Sequence, residues 1–218
     1  MIKLNMKKYK VLISKLPVRQ QCFTTQRSIW EKAESELAWL KELNNSLFGA
    51  HKSLTVSRDD VFNAPSLREL IVKTIYWGYA RGMRGNNFVN ILNKIDQIET
   101  VLMDLKSKDA PNSEDFNHLV LSFKSVKGLG LSTYSKLLYF SGLTFNNQGC
   151  LILDQRLIDV FHKGTYGEYK ALKGIKYSNA EAHYLEYLTL TNSVSEELKT
   201  SGENIEQFLF IFGDHLKK

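Results

Sequence analysis

The chain has 218 residues, enough for one well-buried core and too few for two full domains of ordinary size. With 43% hydrophobic and 11% aromatic residues it is not a disordered chain, and no apolar run approaches the roughly eighteen residues that span a bilayer. A formal charge of +6 suits an anionic partner, without separating nucleic acid from a membrane surface or a merely basic protein.

Residues 1–24 read as a basic entry (Lys7, Lys8, Lys10, Lys15) with a short strand over 9–13, either a solvated arm or a phosphate contact. Ile29, Ala33, Leu37 and Leu40 share one face and predict a single helix over about 26–44, with Trp30 and Trp39 in the core. Residues 59–65 read as a loop. Ser66 and Glu69 form a capping-box pattern that opens a helix to about Trp77. That helix runs into Gly78-Tyr79-Ala80-Arg81-Gly82-Met83-Arg84-Gly85-Asn86-Asn87. Glycines there either stop and restart helices or let the backbone approach a ligand, and Arg81 and Arg84 are phosphate-binding candidates. A stripe of Phe88, Ile91, Leu92, Ile95, Ile98, Leu102 and Leu105 predicts one long amphipathic helix to Lys106. Residues 109–113 break it, with Ser113 as the cap of the next helix.

That next helix is apolar at Phe116, Leu119, Val120 and Phe123 and ends in Val126-Lys127-Gly128-Leu129-Gly130. Two glycines one residue apart allow a sharp turn and close backbone approach, and the following helix, about 132–140, begins with free N–H groups. Such a turn either caps an ordinary helix or receives an anion, and Lys127 places a cation beside it. A phosphate contact would use Lys127, Gly128, Leu129, Gly130 and Ser132. The second helix carries one charge, Lys136, which is either a snorkelling surface lysine or a desolvated amine of lowered pKa. Eighteen positions later Asp154 follows the apolar run Leu151-Ile152-Leu153 and precedes an amphipathic helix (Leu157, Ile158, Phe161). It reads as an N-cap whose fixed, ionised carboxylate could also act on a neighbouring group. Arg156 could reach a phosphate. A basic, glycine-punctuated loop runs from Lys163 to Tyr177, and helices over about 179–199 and 203–216 close the chain.

Two cysteines, Cys22 and Cys150, and five scattered histidines offer no metal-ligand spacing, and no cofactor is expected. The first eight residues lack the apolar core of a signal peptide, so a reducing, cytoplasmic setting is expected.

The hairpin, a lysine after it and an aspartate about twenty residues on resemble the HhH-GPD superfamily of DNA glycosylases, most closely its 8-oxoguanine (OGG-like) branch. Tyr76-Trp77-Gly78-Tyr79, Ser135 to Phe140 and Glu206 to Phe210 add to the likeness, which covers about 65–215. Endonuclease-III-like relatives carry four C-terminal cysteines for an iron–sulfur cluster, and this chain has none there. In many bifunctional members the lysine stands two residues after the second glycine, where this chain has Ser132. Lys136 lies one helical turn further on the same face, and archaeal members also displace this lysine.

The resemblance implies an all-α fold of two helical subdomains flanking a cleft, with the hairpin element at about 114–141 and the aspartate segment at 151–161. It implies a single glycosylase domain over 1–218, acting as a monomer on double-stranded DNA with a damaged base, associated with the nucleoid. Lys136 would be the nucleophile, forming a Schiff base with abasic-lyase activity, and Asp154 its electrostatic and acid/base partner. Trp77, Phe140, Gln207 and Phe212 are the candidates for the flipped-base pocket. The default lesion is 8-oxoguanine. Another modified base, a water-activating enzyme without lyase activity, and a non-catalytic DNA-binding module remain the alternatives.

Overall fold

The computed structural model describes residues 4–216. From residue 4 on, the N-terminal segment is docked and is not a free arm; residues 1–3 lie outside the described residues. Met6 and Ile13 are fully buried, and residues 10–14 form a short helix α1 (Lys10–Ser14) in place of the expected strand. The segment docks on the far end of the chain: Met6 N–H donates to Glu168 Oε1 at 2.8 Å, and Asn204 Nδ2 donates to Ile13 O at 2.9 Å.

Strand β1 (Cys22–Gln26) pairs antiparallel with β2 (Ser53–Ser57), Phe23 opposite Val56, a ribbon the sequence pattern did not announce. Between them the expected single helix is two, α2 (Glu31–Glu36) and α3 (Ala38–Phe48), broken where Leu37 takes an extended conformation. The expected loop at 59–65 instead begins with α4 (Arg58–Phe62). Ser57 and Asp60 cap it reciprocally. Helix α5 (Leu67–Gly78) starts at Ser66, as the capping pattern predicts. The stripe from Phe88 spans two helices, α6 (Asn87–Leu92) and α7 (Ile95–Lys106), turned at Asn93-Lys94.

Helix α8 (Ser113–Lys124) is capped by Asn112, one residue before the predicted Ser113. Asn112 accepts from Glu114 and Asp115 N–H groups and Asp115 returns the bond. The turn follows, with Gly128 at φ 91°, and α9 (Leu131–Phe140) begins at Gly130 without a side-chain cap. A two-residue ribbon, β3 (Thr144–Phe145) and β4 (Gln148–Gly149), leads to the extended run Cys150–Leu153 and to α10 (Gln155–Lys163). The chain closes with α11 (Tyr184–Leu198) and α12 (Gly202–Phe212). A 3-10 turn at Ala180–His183 takes up the start of the expected 179–199 helix, and α12 stops short of the expected 216.

The fold is therefore all-α with two small ribbons. Buried side chains from Leu4 to Leu209 form one contiguous cluster, and α9 lies within it, since nine of its ten residues are buried. α5 packs on α9 and on β1, and α12 packs on α10 and α11. The cleft opens where these two groups of elements face one another across α9.

Candidate active site

Nine of the ten residues of α9 are buried, Lys136 among them, and its side chain is only 5% exposed. What makes room for it is the last residue of α5. A Cβ at Gly78 would stand 2.8 Å from Lys136 Cδ and 3.0 Å from Cε, so the absent side chain is the space the lysine stem occupies. Its Nζ donates to the carbonyl of Ser132 one turn back at 2.5 Å, and lies 5.4 Å from the ring centre of Tyr79. Tyr79 is itself held by a 2.7 Å bond between its hydroxyl and Thr133 Oγ1.

Asp154 reaches the same cleft from the other side. Its Oδ1 accepts from the N–H groups of Arg156 and Leu157 at 3.0 and 3.3 Å, which fixes the carboxylate as the N-cap of α10. Three neighbouring bonds hold the preceding extended run in place. Tyr184 and Tyr187 hydroxyls donate to Leu151 O and Ile152 O at 2.8 and 3.0 Å, and Leu153 N–H donates to Ser135 Oγ at 3.1 Å. Ser135 and Leu153 are the chain neighbours of Lys136 and Asp154. With the Ser135 hydroxyl donating in turn to Leu153 O at 3.4 Å, two buried hydrogen bonds set the relative position of the amine-bearing and carboxylate-bearing segments.

The cleft has a volume of about 470 Å³. Its walls are Phe23, Trp77, Tyr79 and Phe210, and its polar groups are Lys136, Asp154, Glu206, Arg81 and Arg156. Arg156 lies over the Phe210 ring at 4.8 Å. At the bottom Glu206, 1% exposed, meets the fully buried Arg58, with Oε2 and Nη2 2.7 Å apart. The contact has ion-pair distance but not hydrogen-bond angles, and both terminal nitrogens of Arg58 lack a hydrogen-bond acceptor. Arg58 Nε donates to Gln21 Oε1 at 2.8 Å, and the guanidinium sits 5.0 and 5.1 Å from the Trp77 and Tyr139 ring centres.

Burial dominates the electrostatics. It pushes the Lys136 amine below the ordinary lysine value, with Asp154 and Glu206 opposing, and it raises Glu206 above the ordinary glutamate value against the pull of Arg58. Burial would lower Arg58 as well, but Glu206 and Tyr139 outweigh it and the guanidinium stays charged.

The structure therefore brings Lys136, Asp154, Arg81, Arg156 and Trp77 to one cleft. It does not bring the other three pocket candidates there. Phe140 is core, edge-on to Trp77, Phe62 and Tyr139. Gln207 is 2% exposed on the inner side of α12 with Oε1 unpartnered, and Phe212 packs on Phe208. The expectation for Gln207 is corrected to its neighbour: Glu206 and, one turn on, Phe210 share the face of α12 that meets the cleft. Sequence reasoning missed Arg58 and Phe23, whereas Tyr79 stood in the Tyr76-Trp77-Gly78-Tyr79 stretch that it singled out. Arg84 is exposed outside the cleft. Lys127, Gly128, Leu129, Gly130 and the turn's surroundings form a separate open hollow, with Ser132 half-buried behind it. Asn87 packs against the turn, since a Cβ at Gly128 would meet its side chain at 2.7 Å.

A family model described as "Putative 8-oxoguanine DNA glycosylase OGG-like protein" matches residues 16–210. No curated protein and no solved structure matches the chain.

Proposed function

The chain belongs to this OGG-like family of DNA glycosylases, and on that premise we propose that it excises an oxidised guanine, 8-oxoguanine by default, through a Schiff base on Lys136. The reading rests above all on one observation: a lysine 5% exposed, with its amine depressed by burial, in the same cleft as a capped aspartate. Among the described residues no helix is long and apolar enough to cross a membrane, and DNA is the partner that the family implies.

A base inside a duplex must leave the stack before its glycosidic bond can be reached. The turn at Lys127–Gly130, with the uncapped start of α9, would hold the backbone, while Arg81 and Arg156 at the cleft rim would take flanking phosphates. The extruded base would stack among Phe23, Trp77 and Phe210. Glu206 at the bottom is an acceptor held by Arg58. Guanine and its 8-oxo form present two adjacent N–H donors on the Watson–Crick edge, the pattern an ionised carboxylate accepts.

For chemistry, the neutral Lys136 amine forms a bond to C1′ as the glycosidic bond breaks, its electron pair leaving with the base. Asp154 takes the proton that the amine releases and can return it to the departing base. Breaking of the C1′–O4′ bond, with a proton passing from the amine to O4′, then gives the Schiff base; loss of a C2′ proton to a base forms the C2′–C3′ double bond and expels the 3′ phosphate, which cuts the strand.

Borohydride trapping on an 8-oxoguanine duplex tests this. The wild type should form a covalent adduct and Lys136→Gln should form none while still binding the duplex. Single-turnover rates should rise with pH and level off below 10.5, the ordinary lysine value, because the folded amine loses its proton early. Base release without any trappable adduct would overturn the Schiff-base step. Binding without base release on any modified base would overturn the enzyme reading.

A further inference from the structure

Beside the hairpin turn stands a side chain that the chemistry above does not use. Tyr177, 45% exposed, belongs to the loop that joins α10 to α11. That loop is braced at several points. Lys176 N–H donates to Asn179 Oδ1 at 2.8 Å, Gly174 N–H donates to His162 O at 3.2 Å, and His162 Nδ1 lies 3.0 Å from Ile175 O.

The bracing aims the phenol at the turn. A Cβ at Gly130 would stand 2.7 Å from the Tyr177 hydroxyl, so the hydroxyl rests against the residue that opens α9. A side chain at that position would have to push the phenol aside. Among the described residues the hydroxyl makes no hydrogen bond, although a phenol O–H ordinarily seeks a partner. The surrounding hollow, about 390 Å³, is lined by Lys124, Lys127, Gly128, Gly130 and Tyr177. Lys124 is engaged by Glu181 at 3.3 Å, whereas Lys127 and Lys176 are exposed and form no ion pair among the described residues.

We propose that the loop Lys173–Tyr177 is a third DNA-backbone contact, in which the Tyr177 hydroxyl donates to the phosphate seated on the start of α9 and Lys176 neutralises its neighbour. A phosphate lying on the α9 N–H groups would meet three kinds of donor at once: backbone N–H, the Lys127 ammonium and the phenol. The phenol adds direction without charge, because a hydroxyl hydrogen bond requires the oxygen to sit in line with it. This would fix the phosphate on the side of the turn where Tyr177 meets Gly130. The proposal rests on the glycosylase reading, since it needs DNA on this face.

Binding of the full-length protein to a duplex carrying a tetrahydrofuran abasic analogue, which has no base to release, tests the contact across a salt series. Tyr177→Phe should weaken binding about tenfold, the scale of one hydrogen bond to a charged group, and leave the slope of log K against log salt unchanged. Lys176→Ala should lower that slope by about one. Both side chains are exposed, so thermal unfolding of the variants should match the wild type. Unchanged or tighter binding by Tyr177→Phe would overturn the proposal, tighter binding showing that the ring covers the turn. Failure of the wild type to prefer the analogue duplex over plain duplex would instead strike at the glycosylase reading itself.

Discussion

At the scale of single residues the site turns on positions whose neighbours leave them little freedom. Asp154 is the clearest case, because two roles can be separated by two substitutions. Asn keeps an oxygen for the N–H groups of Arg156 and Leu157, whereas Ala does not. Asp154→Asn should therefore hold stability within about 0.5 kcal/mol of wild type, and Asp154→Ala should lose about 1 kcal/mol in urea unfolding. Both should reduce the single-turnover rate by at least about 10²-fold if the charge acts in catalysis. Wild-type rates in Asp154→Asn would reduce the residue to a cap. Gly78 makes a different test. Ala is the better helix former by about 1 kcal/mol, so Gly78→Ala should cost little stability despite the contact. The new Cβ must displace the Lys136 stem, and a displacement of that kind costs up to about 10²-fold in rate. Asp154 and Lys136 were legible because a cap and a lone charge on an apolar helix are local patterns. Gly78 read as a helix terminator or as a place where backbone approaches a ligand, since nothing local says that a lysine 58 positions away needs its missing side chain.

At the scale of elements the sequence was readable wherever pattern and cap agreed. The start of α5 at Ser66 and the span of α9 came out as the spacing predicts, and so did α10 with its Asp154 cap. The misses share a cause, in that tertiary contacts decided what local propensity left open. β1 and β2 are five residues each and half exposed, so no run of alternation marked them. Their place is set by Thr25, whose hydroxyl donates to Ala80 O at 2.9 Å and accepts from Trp30 Nε1 at 3.0 Å. The break at Leu37 has no proline or glycine to announce it. It lets Glu34 on α2 turn toward α3, where it accepts from buried Asn44 at 2.7 Å while also binding Arg27. A stripe that continues in phase across a one-turn interruption, as at Asn93-Lys94, reads as one helix for the same reason. Register on α12 was the costly miss for function. Both faces of that helix are buried, so hydrophobicity alone could not tell that Glu206 rather than Gln207 meets the cleft.

At the scale of the whole molecule the cleft is closed by an ion pair between distant parts of the chain. Arg58 begins α4 and Glu206 sits in α12, and the two meet fully buried beneath the residues proposed for catalysis. A buried pair of this kind is a poor source of net stability, because desolvating both charges offsets their attraction, but losing one partner strands the other. Arg58→Met should therefore destabilise the protein by about 3–5 kcal/mol in urea unfolding, because it leaves the Glu206 carboxylate buried without its partner. The double variant Arg58→Met with Glu206→Leu should recover to within about 2 kcal/mol of wild type, or exceed it, since no charge is then left alone. Its activity is the discriminating measurement. If the pair serves only to join the two halves, the restored fold should restore base release. If Glu206 reads the extruded base, the double variant should fold well, bind the abasic analogue like wild type and still fail to select 8-oxoguanine. Full excision by a stable double variant would remove Glu206 from the site and leave selection to the aromatic walls.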